Sequence, residues 1–193
     1  MQVKNWKKAF FILLAVNLGI LIFLFVSISI PIKDKMIKQE ENPLQGYVPF
    51  LIHTQKDNLN RLINHYIEKE ATAGPINYQV VLKDEVELYG TMPIFSEEIQ
   101  MKLTFEPEAL NNGDLILKQK SMVIGKMQLP VTYVLKFIAD RYHLPKGVTI
   151  QPNDKLVYIS MQKLKLKSDF KVRVKEFDLK SDDISFQLYV PTK

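Results

Sequence analysis

The sequence predicts an α+β protein in which one membrane-spanning helix precedes a domain of antiparallel strands and two amphipathic helices. Three observations lead to this fold class. Residues 9–30 form an apolar block without any charged side chain. Two later segments carry apolar residues at helical spacing, and other stretches alternate apolar and polar residues with period two. Runs of strands separated by helices, each with one apolar side, are typical of α+β rather than α/β domains.

The apolar block is long enough to cross a lipid bilayer. As a helix, residues 9–30 extend roughly 33 Å, and the hydrocarbon core of a bilayer is about 30 Å thick. The sequence therefore predicts a transmembrane anchor over residues 9–32, with residues 1–8 as a cytoplasmic N-terminus.

Lysines lie on both sides of the anchor, and their balance predicts its orientation. Basic residues favour the cytoplasmic side of a membrane, so we expect a single-pass cell-membrane protein whose C-terminal domain is extracellular. A cleaved signal peptide is the alternative, because Ser27 and Ser29 have a spacing that suits cleavage. The flanking basic groups are the amino terminus, Lys4, Lys7 and Lys8 before the block, and Lys33 and Lys35 after it.

Charge and cysteine content exclude several classes of protein. The 193 residues include 26 Lys and Arg against 21 Asp and Glu, a net charge of +5, and three of the lysines precede the anchor. The remaining charge is close to balanced, which gives no support for nucleic-acid binding. The sequence has no cysteine, so neither a disulfide nor a thiol-linked lipid can stabilise the domain. About 160 residues are enough to form a buried core instead.

The region after the anchor divides into a predicted linker over 33–53 and a domain over 54–193. Mixed charges followed by Pro43, Gly46 and Pro49 favour the linker. A helix of about 17 residues is then predicted to begin at the capping pattern formed by Thr54 and Asp57. Its apolar stripe consists of Leu59, Leu62, Ile63, Tyr66 and Ile67.

Period-two alternation predicts the strands of the domain. A turn is expected at Asn111–Gly113, where small residues tolerate positive φ, and a second helix is expected after Pro130. The predicted strands cover residues 78–88, 99–105, 115–129, 164–174 and 184–190.

The sequence offers little for catalysis, and we predict that the protein is not an enzyme and needs no metal or cofactor. His53, His65 and His143 share no metal-ligand spacing, and neither a nucleophile elbow nor a phosphate loop is present. The adjacent carboxylates Glu97–Glu98 and Asp182–Asp183 are expected to be solvated turn residues.

A row of cations is the sharpest charge feature of the domain. On a strand or hairpin these side chains would share one face, which could meet anionic lipid headgroups or simply be the solvent side of a sheet. The predicted basic face consists of Lys163, Lys165, Lys167, Lys171, Arg173 and Lys175.

The apolar side of the predicted sheet is large, and two arrangements remain open for it. The side chains either fill a closed core or leave an apolar groove beside the first helix of the domain, where an acyl chain would gain about 0.8 kcal/mol per buried methylene. The predicted lining of such a groove is Leu62, Ile63, Tyr66, Val80, Leu82, Met101, Leu103, Phe105, Phe170, Val172 and Phe186.

Several segments resemble the YpmS family, small membrane-anchored proteins of low-GC Gram-positive bacteria. The resemblance lies in Pro49-Phe50-Leu51-Ile52, the helix from Thr54 to Ile63, the strand at Tyr78, and the segments from Met127 to Ile138 and Ile184 to Pro191. It implies no catalytic residues. Because such proteins are often encoded beside an SGNH-type lipase, it implies a lipid-handling partner.

The element order is also similar to that of tubular lipid-binding (TULIP-like) proteins. By this analogy, a highly curved antiparallel sheet would wrap around the long amphipathic helix and accept lipid on its concave side. Two functions follow as hypotheses. The domain binds or shuttles a lipid or lipid-linked envelope polymer, or it is an interaction module that tethers or regulates a cell-envelope enzyme such as a lipase.

Overall fold

A computed structural model describes residues 4–29, 46–71, 78–94, 97–126, 128–141, 144–164 and 169–192. They form three helices and nine strands, which confirms the α+β class. In chain order these are α1 (Lys4–Ser29), β1 (Tyr47–Thr54), α2 (Lys56–Ala71), β2 (Tyr78–Leu82), β3 (Val86–Ile94), β4 (Glu97–Ala109), β5 (Leu115–Ile124), α3 (Val131–Arg141), β6 (Val148–Gln151), β7 (Leu156–Ile159), β8 (Lys171–Asp178) and β9 (Asp183–Pro191).

Helix α1 belongs to a compact unit of its own, residues 1–33. Its segment from Trp6 to Phe23 has a mean hydropathy of 1.8, and none of its residues is buried. The helix is thus long and apolar enough to span a membrane as a single-pass anchor, a property that signal sequences share.

The second unit, residues 34–193, contains a six-stranded and a three-stranded antiparallel sheet. The larger sheet has the strand order β2-β3-β4-β5-β7-β6. Most neighbours along it are consecutive in the chain, because the short turns between them, including the one ending at Gly113, reverse the chain directly. The predicted turn at Asn111–Gly113 is therefore confirmed.

The three-stranded sheet has the order β1-β9-β8 and joins distant parts of the chain. Phe50 of β1 lies opposite Leu188 of β9, and Val172 of β8 lies opposite Leu188 on the other side. The Val174 N–H donates a hydrogen bond of 2.8 Å to the Gly113 carbonyl, which links this sheet to the turn between β4 and β5.

One hydrophobic core connects both sheets and α3. Leu103 and Ile184 are fully enclosed, with 0% and 1% of their surface exposed, and they come from different sheets. The apolar face of α3 completes the core with Val134, Leu135 and Ile138. Burial of this kind is what holds a domain without disulfides together.

Helix α2 packs mainly against β2, at the edge of the six-stranded sheet. Leu59 and Ile63 point towards the core, as the predicted stripe requires, whereas Leu62 and Tyr66 are exposed. The strands form two sheets, so a single sheet wrapped around the helix is not confirmed.

The predicted linker over 33–53 differs from the structure at its C-terminal end. Residues 47–53 belong to β1, which pairs with β9 along its whole length. Pro49 and Gly46 favoured a linker, but a proline is compatible with an edge strand when its missing N–H faces outward.

Candidate functional site

The eleven residues predicted to line a groove are divided among three environments. Leu62, Tyr66 and Phe170 are exposed, whereas Ile63, Val80, Val172 and Phe186 are half-buried. The other four, Leu82, Met101, Leu103 and Phe105, are each at most 4% exposed and belong to the hydrophobic core. Protein side chains therefore already occupy the space next to these four, and the structure does not bring the predicted set together as one open lining.

A group of exposed apolar residues lies instead on the three-stranded sheet. Val48, Phe50 and Ile52 of β1 are 43%, 52% and 42% exposed. Opposite them on β9 are Val190, Leu188 and Phe186, and Val172 of β8 faces Leu188. We call Val48, Phe50, Ile52, Val172, Leu188 and Val190 the apolar sheet face.

The apolar sheet face continues directly into the core. Further along the same side of the sheet, Val174, Phe177 and Ile184 are buried, and the Phe177 and Phe186 rings meet edge to face with their centroids 6.3 Å apart. The apolar sheet face and the buried residues therefore share strands β8 and β9, which connect the exposed surface to the core. A contiguous exposed apolar surface on a folded domain is typical of a binding site.

The opposite side of this sheet carries cations stacked on aromatic rings. The Lys171 ammonium lies 4.7 Å from the centre of the Tyr47 ring, and the Arg173 guanidinium lies 5.6 Å from that of Tyr189. Such contacts position a cation without neutralising it. The sheet thus has one apolar side, and a second side on which these two cations lie together with the exposed Leu51 of β1.

The predicted basic face is only partly assembled. Lys171 and Arg173 lie on the same side of β8. The pairing of β8 with β9 shifts register between Val174 and Glu176, so Lys175 does not continue this row of cations. Lys163 is exposed in the turn after β7, whereas Lys165 and Lys167 lie outside the described residues. The predicted strand across 164–174 corresponds to β8 only from Lys171 onward: Leu164, Asp169 and Phe170 are not in a strand, and residues 165–168 lie outside the described residues.

The outer edge of β1 exposes backbone hydrogen-bonding groups. The Thr192 N–H donates to the Gly46 carbonyl at 2.9 Å, which shows that the backbone groups of Gly46 face β9. Because successive residues of a strand point their N–H and C=O groups to opposite sides, Tyr47, Pro49, Leu51 and His53 direct theirs away from β9. Within the described residues no strand pairs with this edge.

Buried polar groups elsewhere in the domain bind one another. Asp114 is 2% exposed; one carboxylate oxygen accepts from the Met161 N–H at 2.8 Å, and the other accepts from the Tyr158 hydroxyl and from Asn112 at 2.9 Å. Burial and the neighbouring Asp114 raise the pKa of Tyr158 to about 12. The arrangement stabilises the loops around β5 and β7 and leaves the hydroxyl without the low pKa that a general base needs.

Glu87 forms a second polar cluster on the surface of the larger sheet. Its carboxylate accepts hydrogen bonds from Lys102 at 2.8 Å and from Tyr89 at 2.5 Å, and it pairs with Lys83 at 2.9 Å. These donors lower the pKa of Glu87 to about 2. Across the described part of the chain, no buried side-chain nitrogen or oxygen lacks a hydrogen-bond partner.

A polar cavity of about 410 Å³ opens to solvent beside the start of α2, lined by His53, Thr54, Gln55, Asn58, Asp182, Asp183 and Ile184. The Asp182 carboxylate in this lining accepts a 2.7 Å hydrogen bond from the Lys56 N–H, at the start of α2. Among the residues that the structure describes, no three His, Cys, Asp or Glu side chains are grouped as metal ligands would be. His143 lies outside the described residues.

The sequence did contain a signal for the apolar sheet face. Val48 to Ile52 form a short apolar run bounded by Gly46 and Thr54, which is compatible with a strand that has apolar residues on both sides. Period-two alternation, the usual sign of a half-buried strand, is absent from this run. The exposure of both sides could not be predicted from it.

Comparison with known proteins identifies relatives along nearly the whole chain. Residues 4–190 match the profile of DUF2140, described as an uncharacterized protein conserved in bacteria. "Uncharacterized protein YpmS" of Bacillus subtilis (strain 168) is 28% identical over 187 residues, which cover 97% of this chain and 98% of that protein. No solved structure gives a significant match.

Proposed function

Since this chain belongs to the DUF2140 family, which includes YpmS-like proteins, we propose that it is a single-pass membrane protein whose extracytoplasmic domain binds lipid acyl chains on the apolar sheet face. The observation that carries the proposal is the exposure of Val48, Phe50 and Ile52 on one side of the same strand. Covering each methylene with an acyl chain instead of water gains about 0.8 kcal/mol.

The charges around this surface suit a lipid with an anionic headgroup. Lys171 and Arg173 flank Val172 in β8, and their side chains lie on the other side of the same sheet. An acyl chain on the apolar side would place its headgroup at the sheet rim, within reach of cations that attract anionic lipids by about 1 kcal/mol each. The proposed ligand is therefore an anionic lipid or a lipid-linked anionic polymer.

The proposal assigns no catalytic step to the protein. This part of the proposal is supported by the polar clusters around Asp114 and Glu87, whose side chains form hydrogen bonds and ion pairs within the domain. The alternative, in which the domain tethers or regulates an envelope enzyme such as a lipase, stays a prediction.

Brominated lipids provide a direct test of acyl-chain contact. The sequence has one tryptophan, Trp6. In the full chain carrying Trp6→Phe and Phe50→Trp, all tryptophan fluorescence therefore comes from the apolar sheet face. The protein is placed in phosphatidylglycerol vesicles with or without bromine on the acyl chains. We expect the bromine to quench the fluorescence of Trp at position 50.

The matched control is Val123→Trp in the same Trp6→Phe background. Val123 is an exposed valine, 58% accessible, on β5 of the other sheet. Its fluorescence should be the same in both vesicle types. If Trp at position 50 fluoresces equally in brominated and unbrominated vesicles, the face does not contact acyl chains.

A second experiment tests the proposed topology. Because the sequence has no cysteine, Lys136→Cys adds a single thiol on α3, where Lys136 pairs with Asp140 at the surface. A maleimide that cannot cross membranes should label this thiol in intact cells. Labelling only after lysis would place the domain in the cytoplasm. An immunoblot of the labelled chain at full mass shows that α1 is retained.

A further inference from the structure

The sheet edges of the domain are protected to different degrees. At the β2 edge, Asn60 and Asn64 of α2 each form two hydrogen bonds with the strand backbone, at Leu82 and Val80. At the β8 edge, the Val174 N–H is bound by the Gly113 carbonyl. The outer edge of β1 has no such partner among the described residues. An uncovered apolar edge strand is a template for pairing with another strand.

We propose that the outer edge of β1 pairs with β1 of a second copy of this chain, in antiparallel orientation. Residues 47–54 carry no Lys, Arg, Asp or Glu, so two copies meet without like-charge repulsion. The other edge of the same sheet, β8, carries Lys171 and Arg173 and would bring cations together in a symmetric pair. Charge therefore selects β1 as the self-pairing edge.

Symmetry and the backbone pattern fix the register. A two-fold axis through an antiparallel pair places one residue opposite its own copy. If that residue is Phe50, the outward groups of Tyr47 meet those of His53 and the Leu51 N–H meets the Pro49 carbonyl, which gives about six hydrogen bonds. A register centred on Leu51 gives about four hydrogen bonds, because it pairs His53 with Pro49, which has no N–H. A register centred on Ile52 also gives about four, because only Leu51 and His53 then lie opposite outward groups of the second copy.

The side chains agree with this register. Phe50 then faces Phe50 of the second copy, and Val48 faces Ile52 of the second copy, pairs of the aromatic and β-branched kind that stabilise strands. The dimer makes the apolar sheet faces of the two copies continuous. It does not depend on lipid binding, and its test reports strand pairing whether or not the face binds acyl chains.

Cysteine cross-linking of the full chain in membranes tests the register, since the sequence has no other thiol. In the proposed pair the two Phe50 Cα atoms are about 4.5 Å apart, at a non-hydrogen-bonded position. This distance lies within the range of a disulfide. We expect Phe50→Cys to form a covalent dimer on mild oxidation.

Leu51→Cys is the matched control, because it lies on the same exposed strand. Its Cα atom is about 8–9 Å from its copy in this register, beyond disulfide range, so the variant should stay monomeric. A mixture of Val48→Cys and Ile52→Cys chains should form the heterodimer. Comparable cross-linking at positions 50 and 51 overturns the proposal. The absence of cross-linking at both positions also overturns it, and this result is expected if residues 30–45 or a different protein cover the edge.

A backbone substitution separates pairing from folding. Leu51→Pro removes an N–H that faces away from β9, so the three-stranded sheet keeps its own hydrogen bonds. In the Phe50→Cys background, Leu51→Pro should abolish the covalent dimer, whereas Leu51→Ala should retain it. Thermal unfolding of both variants should match that of Phe50→Cys alone. An undiminished dimer with Leu51→Pro would also contradict the pairing.

Discussion

The side-chain amide of Asn60 binds the backbone of Leu82 in the manner of a neighbouring strand. Its Oδ1 accepts from the Leu82 N–H at 2.7 Å, and its Nδ2 donates to the Leu82 carbonyl at 3.0 Å. One helical turn later, Asn64 forms the same pair of bonds with Val80 at 3.3 and 2.8 Å. Two asparagines spaced i, i+4 on a helix thus bind the backbone of two residues spaced i, i+2 on a strand, because each pair is separated by about 6–7 Å along its element.

Asn60→Ala should destabilise the domain by about 1–3 kcal/mol. The substitution leaves the Leu82 N–H and carbonyl without their partner beside the core, and an unsatisfied buried group costs about that much. Urea denaturation of the full chain in detergent, followed by pulse proteolysis, measures the change. Asn58→Ala is the control, since Asn58 accepts only an exposed hydrogen bond from Arg61. An equal effect of both substitutions would contradict the edge-capping role.

Asp114→Ala should be among the most damaging polar substitutions, at about 3 kcal/mol. It removes the acceptor of the Tyr158 hydroxyl, the Asn112 amide and the Met161 N–H in a site that is 2% exposed. Tyr158→Phe removes one of these donors and should cost about 1 kcal/mol. Denaturation midpoints of the two variants rank the effects. A smaller loss for Asp114→Ala than for Tyr158→Phe would show that the cluster does not act as described.

Glu87 should make stability depend on acid pH. Its pKa is lowered from 4.5 to about 2 in the folded protein by hydrogen bonds from Lys102, Tyr89 and Lys83. A lowered pKa stabilises the fold above pH 4.5, and this contribution is lost as the pH falls towards 2. We expect about 1–2 kcal/mol, because the exposed lysines are partly screened by water.

The measurement compares wild type with Glu87→Gln by denaturation at pH 7, 4 and 2.5. The difference in stability between the two proteins should shrink as the pH falls. Glu98→Gln, at an exposed position of β4, should show no such trend. A difference for Glu87→Gln that stays constant with pH would contradict the assignment.

Gly113→Ala should destabilise the link between the two sheets by more than about 2 kcal/mol. Gly113 has a φ of 85°, and an added Cβ would overlap the Arg173 side chain, with its Cγ at 2.6 Å. Gly46→Ala is a matched control, because Gly46 has a φ of 81° but only the Thr192 hydroxyl at 3.9 Å. It should cost about 1 kcal/mol from the backbone alone. Equal melting temperatures for the two variants would show that the contact with Arg173 does not matter.

Local patterns predicted most of the regular elements. The predicted helix after Thr54 corresponds to α2, Lys56–Ala71, and the helix after Pro130 corresponds to α3, Val131–Arg141. Both are amphipathic, so their spacing is visible in the sequence. The start of α2 is different: Asp182 accepts from the Lys56 N–H across 126 residues, and no local capping pattern could indicate this contact.

The candidate site was the least predictable part. Phe105 and Phe170 have the same side chain and both follow period-two alternation, yet Phe105 is 2% exposed and Phe170 is 39% exposed. Alternation tells which residues share a side of a strand, and it does not tell what covers that side. The residues expected in one groove were therefore separated into core and surface.

The sequence by itself determined the apolar helix α1, the α+β class and the periodicity of α2, α3 and most strands, because these depend on residues close together in the chain. Only the tertiary structure decided that Phe50 pairs with Leu188, that asparagines close the β2 edge, and that both sides of β1 remain exposed. Strand order and exposure depend on contacts between distant segments, whose free energies come from packing the whole domain at once.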